Sequence, residues 1–335
     1  MDIATTVVAD CLADLAAGSR PLVIDEETGV LAAAIGRRGP AADVWMRRAS
    51  AAAAGRVWPD AGPYTAAFLR LPKGKDALDF ALHAVAAVVP VGAPIVLFGA
   101  NDEGVRSVAG HMTAVVETVA TVATKRHCRV LRGARKASIA APRASVAAWR
   151  MEREISILGR RRPWISYPGV FARGGLDEGT ALLLAHLPKL GARRLGLAPR
   201  ILDFAAGTGV IAAAVLQAMP GIAADLVEID ALALAAAREN VPDARAFAGV
   251  SLQAAGDVTY DAILSNPPVH TRIEDDLTVL RALITDAPRH LVRGGELRIV
   301  VQRRILAAPL MEQAFGAVAR QAVSGGFQVL SAKRP

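Results

Sequence analysis

The chain has 335 residues, of which 53% are hydrophobic, 21% are charged and only 4% are aromatic, and its formal net charge is +8. This length predicts two domains, and this composition excludes a disordered chain. The two cysteines, Cys11 and Cys128, stand far apart in the sequence. Their separation excludes a disulfide framework, predicts no metal site, and favours buried small side chains at both positions.

The first half predicts alternating helices and strands. We expect a helix over 76–89, a strand over 94–99 that runs into a turn at 100–104, a helix over 112–124 and a short strand over 129–131. The uncharged residues 82–100 are therefore a helix end, a turn and a strand, and not a membrane span. Because residues 1–17 carry aspartates where a leader peptide carries cations, we expect a cytoplasmic protein with no membrane contact.

A basic segment lies in the middle of the chain. Residues 125–162 hold twelve Lys and Arg against two Glu, a net charge of +10, which leaves −2 for the rest. Such a cluster is typical of a polyanion contact, although a solvated arginine-rich linker has the same composition. The helix and strand pattern dissolves between 135 and 166. We therefore predict a first domain over 1–150, a basic linker over 151–166 and a second domain over 167–335.

The second half predicts a doubly wound, mostly parallel α/β sheet, because strands alternate with helices. Strands are expected to end at 202, 227 and 264, helices to occupy 210–219, 231–240 and 275–290, and a turn at 294–295 to precede a strand over 296–301. Asp230 is expected to cap the helix that follows it. In such sheets ligands bind at the carboxyl ends of the strands, where all the polar motifs of this half occur.

A glycine turn follows the first of these strands. Gly207 and Gly209 lie between a strand and a helix, which allows a ligand close to the backbone. Glu228 ends the next strand, nineteen residues after Gly209, where a carboxylate can accept hydrogen bonds from a ribose. The pattern predicts a ribose-containing cofactor, with a plain tight-packing turn as the alternative.

The tetrapeptide Ser265-Asn266-Pro267-Pro268 follows the third strand. The Asn266 side-chain oxygen and the Pro267 carbonyl are two rigidly held acceptors, suited to the two hydrogens of a planar amine. Holding both hydrogens favours tetrahedral nitrogen and exposes its lone pair for attack on a methyl group. Any planar amine or amide fits this arrangement, so a guanine, an adenine or a glutamine side chain all remain candidates.

These motifs resemble those of the class I S-adenosylmethionine-dependent methyltransferases, and specifically the bacterial ribosomal RNA guanine-N2 methyltransferases of the small-subunit type. The resemblance rests on residues 168–179, 265–270 and 294–300, and on 71–75 and 99–107 in the first half. It implies two tandem Rossmann-like domains, of which the first is degenerate and serves RNA binding or folding. The absence of a Gly-x-Gly turn at 100–104 fits that implication.

The resemblance also implies roles for particular residues. The cofactor, S-adenosylmethionine, would be bound by Asp203, Ala205, Gly207, Gly209, Glu228, Asp177 and Phe171. Catalysis would use Asn266, Pro267 and Pro268. The substrate, ribosomal RNA or a ribosomal subunit, would contact Val269, His270, Arg173, Arg160, Arg161 and Arg162. A monomer is the default expectation for the oligomeric state.

Two residues depart from the family pattern. Ala205 replaces a glycine of the cofactor loop, which is tolerable if its φ is negative. Val269 stands where the family has an aromatic residue, so Phe171, Tyr167 or Trp164 would have to stack on the base instead. Trp164 has interdomain packing as its alternative role. Adenine-N6 methylation, protein-glutamine methylation and a catalytically weakened RNA-binding or ribosome-assembly factor are the alternative functions.

Overall fold

The computed structural model describes residues 3–10, 19–39, 41–50, 53–190, 198–268 and 274–335. They form two units, one of Met1–Arg48 with Gly55–Arg150 and one of Ala49–Ala54 with Met151–Pro335. Each unit contains a mostly parallel sheet with helices, so the predicted tandem α/β fold is confirmed. Within the described ranges, no helix has the length and apolar character needed to cross a membrane.

The first unit is built on a six-stranded sheet in the order β2-β1-β3-β4-β6-β5, with β6 and β5 antiparallel to their neighbours. Its elements are α1 (Ile3–Asp10), β1 (Pro21–Ile24), α2 (Val30–Gly36), β2 (Asp43–Trp45), β3 (Ala66–Arg70), α3 (Lys75–Val88), β4 (Pro94–Ala100), α4 (Ala109–Met112), β5 (Ala120–Lys125) and β6 (Cys128–Ala134). The predicted helix over 76–89 and strands over 94–99 and 129–131 are confirmed as α3, β4 and β6. Cys128 is buried, as predicted, whereas Cys11 lies outside the described residues.

The predicted helix over 112–124 is wrong. The helix α4 ends at Met112, and 120–125 is the strand β5, which pairs with β6 across a turn at Arg126 and His127. Both turn residues have positive φ, of 52° and 61°, the geometry of a tight hairpin turn. β-branched Thr and Val recur through this segment and favour a strand, a preference that the apolar spacing concealed.

The second unit contains a seven-stranded sheet in the order β11-β10-β9-β12-β13-β15-β14 and a separate hairpin, β7-β8. Its elements are β7 (Met151–Ile157), β8 (Arg160–Ser166), α5 (Glu178–Leu184), β9 (Arg200–Phe204), α6 (Val210–Ala218), β10 (Ala223–Glu228), α7 (Ala231–Asn240), β11 (Arg245–Ala248), β12 (Tyr260–Ser265), α8 (Glu274–His290), β13 (Leu291–Gln302), α9 (Ala307–Phe315), β14 (Ala319–Ser324) and β15 (Phe327–Lys333). Helices α8 and α9 pack into one apolar core, and α5, α6 and the hairpin pack into another.

Two expectations for this half are corrected. Residues 151–166 are not a linker, because they form the hairpin β7-β8, which buries Ile155, Ile157 and Trp164 in the core of the second unit. Gly294 and Gly295 do not form a separate turn before a strand. They lie inside β13, where the pairing with β12 shifts register and Gly294, with φ of 76°, accommodates the bulge.

Candidate active site

Three loops meet at the carboxyl edge of the second sheet. Strands β10, β9 and β12 are adjacent and parallel, with Val227 opposite Phe204 and Phe204 opposite Ser265. The segments that follow these strands, which carry Glu228, the glycine turn and Asn266, therefore leave the sheet side by side. The Ser265 hydroxyl donates to the Phe204 carbonyl at 2.7 Å and ties two of these strand ends together.

The glycine turn needs its glycines for different reasons. Gly209 has φ of 88°, caps α6, and approaches Val241 so closely that an added Cβ would lie 2.8 Å from a Val241 methyl. Gly207 has φ of 56°, and an added Cβ there would meet nothing within 4 Å. Gly209 therefore permits close packing, while Gly207 leaves open space above the backbone, as a bound cofactor requires.

Ala205 departs from its expectation. Its φ is 56°, in the left-handed region, so the condition that φ be negative is not met. An alanine in this conformation costs roughly 1–2 kcal/mol because Cβ crowds the following carbonyl oxygen. A glycine at this position would adopt this backbone conformation without strain. Ala205 therefore introduces local backbone strain into the glycine turn.

Two buried carboxyls hold the turn in place. Asp203 is fully buried and accepts from the Ala212 amide at 3.0 Å, and burial raises its pKa to about 8. Glu228 accepts from the amides of Gly207 at 2.7 Å and Asp230 at 2.8 Å, and burial raises its pKa as well. A carboxylate offers about four acceptor sites, so the Glu228 side chain keeps acceptor capacity beyond these backbone bonds. Asp230 caps α7 by accepting from the amides of Leu232 and Ala233, as predicted.

Asn266 is anchored by its amide nitrogen. This nitrogen donates to both carboxylate oxygens of Asp177, at 3.2 and 3.3 Å, and to the Thr180 hydroxyl at 3.0 Å. Asp177 also caps α5 by accepting from the amides of Gly179 and Thr180. Because an ionised carboxylate can only accept, this contact requires the Asn266 NH₂ group to face Asp177, and it leaves the amide oxygen for another partner.

The remaining predicted residues divide into three groups. Pro267 is buried and Pro268 half-buried immediately after Asn266. Phe171 lies in a short helical turn and is 58% exposed. Val269 and His270 lie outside the described residues, as does the side chain of Arg173. Among the described residues, no cluster of three or more His, Cys, Asp or Glu could hold a metal ion.

Two of the three aromatic residues considered as base-stacking partners are buried. Trp164 has no exposed surface, and its indole N–H donates to the Thr208 hydroxyl in the glycine turn at 3.0 Å. Tyr167 is also buried, and its hydroxyl donates to Glu239. The expectation that Trp164 or Tyr167 stacks on the target base is therefore wrong. Of the three rings, only that of Phe171 is exposed.

The basic triplet is only partly accessible. Arg162 donates to the Asn240 carbonyl at 3.0 Å and lies over the Trp164 ring at 5.3 Å, so it contributes to packing. Arg161 is 80% exposed and pairs with Glu154 at 3.2 Å. Arg160 is exposed near the hairpin turn.

Sequence reasoning missed two residues that support the site. The Asn240 side chain accepts from the Ile165 amide and donates to the carbonyls of Ile165 and Thr208, which joins the hairpin to the glycine turn. Thr180 holds Asn266. An isolated polar residue on the inner face of an apolar helix was the available signal for Asn240, whereas nothing in the sequence marks Thr180 as a partner of Asn266.

The counterpart of the glycine turn in the first unit follows β1, and not the turn at 100–104 considered from the sequence. Five residues lie between the last strand residue and the first helix residue in both units, 25–29 in the first and 205–209 in the second. Asp25 has φ of 50° where Ala205 has 56°, and Gly29 caps α2 as Gly209 caps α6. The two loops therefore begin and end with similar backbone geometry, but they differ at the centre, where Gly207 has a positive φ and Glu27 does not. Glu26 and Glu27 occupy the centre of the first unit's loop.

Family models and known relatives agree with this geometry. The methyltransferase small domain matches residues 163–331, and its N-terminal domain matches 43–150. Ribosomal RNA small subunit methyltransferase C of Ectopseudomonas mendocina is 34% identical over 82% of this chain and 80% of its own length. The same protein of Pseudomonas fluorescens is 34% identical over 81% of this chain and 80% of its own length.

Among solved structures, a 16S rRNA N2 methyltransferase of T. thermophilus, determined with AdoMet and guanosine, superimposes with a TM-score of 0.84. It is 23% identical, and the match covers 100% of this chain and 92% of that one, which supports the fold of both units. The identity with the curated relatives extends through both units. This chain belongs to the ribosomal RNA small subunit methyltransferase C family.

Proposed function

We propose that this protein transfers a methyl group from S-adenosylmethionine to the exocyclic N2 amine of a guanine in small-subunit ribosomal RNA. The observation that carries the proposal is the anchored Asn266. Its NH₂ group is held by Asp177 and Thr180, so its oxygen is available to accept from an amine. The likeness to a 16S rRNA N2 methyltransferase determined with guanosine supports a guanine among the planar amines that suit such a group.

The glycine turn and Glu228 suit the cofactor. The space above Gly207 admits a ligand against the backbone, and the Glu228 carboxylate retains lone pairs for ribose hydroxyls. Asp203 stabilises the turn from beneath through Ala212. When bound, S-adenosylmethionine supplies a methyl group activated by the positive charge of its sulfur.

The catalytic contribution of the chain is to hold and orient the amine. The Asn266 oxygen and the Pro267 carbonyl accept its two hydrogens, which favours tetrahedral nitrogen and directs the lone pair outward. The two prolines stiffen the backbone, so the acceptors are in place before the reaction. A strong base is unnecessary before methyl transfer, because the amine proton becomes acidic only afterwards.

The RNA is bound mainly through its phosphates. The exposed Arg160 and Arg161 would contribute such contacts, and the exposed Phe171, in the segment that leads into Asp177, would offer an aromatic surface. The target nucleotide would leave any stack to reach Asn266. The first domain, 1–150, would hold RNA or support folding, and the cytoplasm is where this substrate occurs.

Nucleoside analysis tests the proposed function. Ribosomal RNA from cells without the gene should lack one N2-methylguanosine, and purified protein with S-adenosylmethionine should restore it, as measured by mass spectrometry. Unchanged RNA modification would contradict the proposal. A purified protein that also fails to bind S-adenosylmethionine would favour the RNA-binding assembly factor, whereas a methylated adenine or a methylated glutamine would identify an adenine-N6 or a protein-glutamine methyltransferase.

The variant Asn266→Ala tests the mechanism. It should lower kcat by well over tenfold, or more than about 1.4 kcal/mol in the transition state, while S-adenosylmethionine affinity stays within about twofold. Asn101→Ala, which removes an asparagine directly after β4 of the first unit, is the matched control and should retain activity. Equal activity of Asn266→Ala and wild type would remove Asn266 from the mechanism.

A further inference from the structure

A cavity opens at the carboxyl edge of the second sheet, beside the strands that carry the candidate active site. Its volume is about 600 Å³, and it is lined by Gln302, Arg303, Arg304, Gly325, Gly326 and Phe327. These residues form the end of β13, the loop after it, and the turn into β15. Neither the glycine turn nor Asn266 contributes to its walls.

The cavity is connected to Asn266 through a series of direct contacts. Strand β13 is the neighbour of β12, so Gln302 and Arg303 leave the sheet at the same edge as Asn266. Phe327, opposite Gln302 in the pairing, packs so closely on Gly179 that an added Cβ there would lie 3.0 Å from the ring. Gly179 in turn donates to Asp177, the residue that anchors Asn266.

The cavity is positively charged. Arg303 and Arg304 are both exposed, and among the described residues neither forms an ion pair with a carboxylate. The Arg304 guanidinium donates to the Gln302 side chain at 2.8 Å, and the Arg303 amide donates to the Gly326 carbonyl at 2.8 Å. Residues 291–335 carry seven Lys and Arg against two Glu, so this end of the chain is basic in its own right.

The opposite wall leaves the backbone accessible. Gly325 has φ of 53°, and a Cβ added at Gly325 or Gly326 would meet nothing within 4 Å. A ligand can therefore approach this turn without side-chain obstruction. Phe327 is partly exposed beside it. Two exposed guanidinium groups, accessible backbone and an aromatic ring together suit a nucleic acid strand, whose phosphates and bases require these partners.

We infer that this cavity is a phosphate-binding subsite for the RNA strand that flanks the target guanosine. Arg303 and Arg304 bind the phosphates next to the nucleotide whose base is held by Asn266, and so position the strand. The inference rests on the proposed function for the identity of the RNA. It adds to the phosphate contacts proposed for Arg160 and Arg161, whereas Arg162 of the same triplet is committed to packing.

The double variant Arg303→Ala/Arg304→Ala tests the inference in the full chain. Its KM for an unmodified small-subunit rRNA transcript should rise at least fivefold, with kcat and S-adenosylmethionine affinity within twofold of wild type. Binding of the same transcript, followed by fluorescence anisotropy over a range of salt concentrations, should have a slope smaller by about 0.7 for each phosphate that the variant no longer neutralises. Arg303→Lys/Arg304→Lys should recover part of the affinity.

The matched control is Arg293→Ala/Arg320→Ala, which removes the same charge from two exposed arginines, one at the amino end of β13 and one on β14. If this control weakens RNA binding as much as the cavity variant, or if the cavity variant binds like wild type, the subsite is wrong. Anisotropy does not depend on methyl transfer. A wild-type protein that binds RNA through Arg303 and Arg304 without methylating it would refute the proposed function and leave the subsite standing.

Discussion

The orientation of one amide group decides what Asn266 can do. An asparagine side chain can donate or accept, and only its neighbours determine which end faces a ligand. Here Asp177 and Thr180 take the donor end, at 3.0 to 3.3 Å, so the acceptor end is available to an amine. Asp177 and Thr180 therefore act as positioning residues and need not touch the substrate.

Substitution of Thr180 tests this positioning. Thr180→Val keeps the shape but removes the hydroxyl acceptor, and should lower kcat about fivefold, the equivalent of about 1 kcal/mol for one neutral hydrogen bond. KM for S-adenosylmethionine should not change. Thr180→Ser, which restores the hydroxyl, should recover most of the rate in steady-state assays. A serine variant as slow as the valine variant would indicate a packing role instead.

Asp203 gives stability a pH dependence. Burial raises its pKa to about 8, so the folded protein binds a proton that the unfolded chain has released above about pH 4. The stability that this protonated carboxyl contributes is complete at pH values below the pKa of Asp203 in the unfolded chain. It is lost as the pH rises through the pKa of Asp203 in the folded protein. Asp203→Asn keeps the acceptor for Ala212 but cannot ionise. Its free energy of unfolding should therefore increase relative to that of wild type as the pH rises from about 5 to about 9.

Urea denaturation of both proteins at these two pH values measures the effect. The difference in unfolding free energy should shift in favour of the asparagine variant by more than about 1.4 kcal/mol, the equivalent of one pKa unit. A difference that does not change with pH would mean that Asp203 titrates in the folded protein as it does in the unfolded chain.

At the scale of elements, the hairpin β7-β8 supports the glycine turn. Trp164 donates to the Thr208 hydroxyl, and Asn240 of α7 joins the Ile165 backbone to the Thr208 carbonyl. Asn240 is buried, and each of its side-chain polar atoms is hydrogen-bonded. The segment predicted as a linker is thus part of the framework of the site.

Removal of this connection should cost both stability and cofactor affinity. Asn240→Ala leaves buried backbone groups of Ile165 and Thr208 without partners and should lower the free energy of unfolding by about 3 kcal/mol. Gln217→Ala is the control, because the half-buried Gln217 amide donates to Ile157 of the same hairpin, and its loss should cost less than about 1 kcal/mol. Chemical denaturation and titration with S-adenosylmethionine measure the two effects, and equal costs would contradict the role assigned to Asn240.

At the scale of the whole molecule, the two units share one plan with different loops. When the two sheets are aligned from the ends that carry the antiparallel strands, their strands follow the same order. The second unit has one additional strand, β11, at the other end. In this match β1 corresponds to β9 and β3 to β12. Leu71-Pro72 then follows β3 at the position where Asn266-Pro267 follows β12. In the turn after β1, the buried Glu26 carboxylate accepts from the Leu31 amide.

This difference predicts one cofactor site per chain. The first unit has carboxylate side chains in its turn and a leucine where the second unit has Asn266, so calorimetric titration with S-adenosylmethionine should give a stoichiometry of one. Gly207→Asp should weaken binding more than tenfold. Glu27→Ala, at the corresponding position of the first unit, should leave binding unchanged. Two sites per chain, or an equal loss with Glu27→Ala, would contradict this prediction.

Much of the second unit could be predicted from its sequence. The positions of β9, β10, β12 and α7 follow from apolar periodicity and from Gly and Pro at their ends, which are local properties of the chain. The glycine turn, Glu228 and Asn266 could be recognised for the same reason. The hairpin could not, because its two strands are rich in arginine, and they are strands only when Trp164 and Ile155 are buried against α6 and its neighbours.

The sequence by itself determined the parallel α/β sheet of the second unit and the edge of that sheet where the polar motifs lie, and it predicted a two-acceptor grip on an amine, since each depends on residue types at close spacing. Only the tertiary structure decided which end of Asn266 faces outward, that Trp164 is buried, and that Arg303 and Arg304 line a cavity at the same edge. These features depend on contacts between residues far apart in the chain, such as Asp177 with Asn266. Such contacts exist only after the sheet has brought its strand ends together.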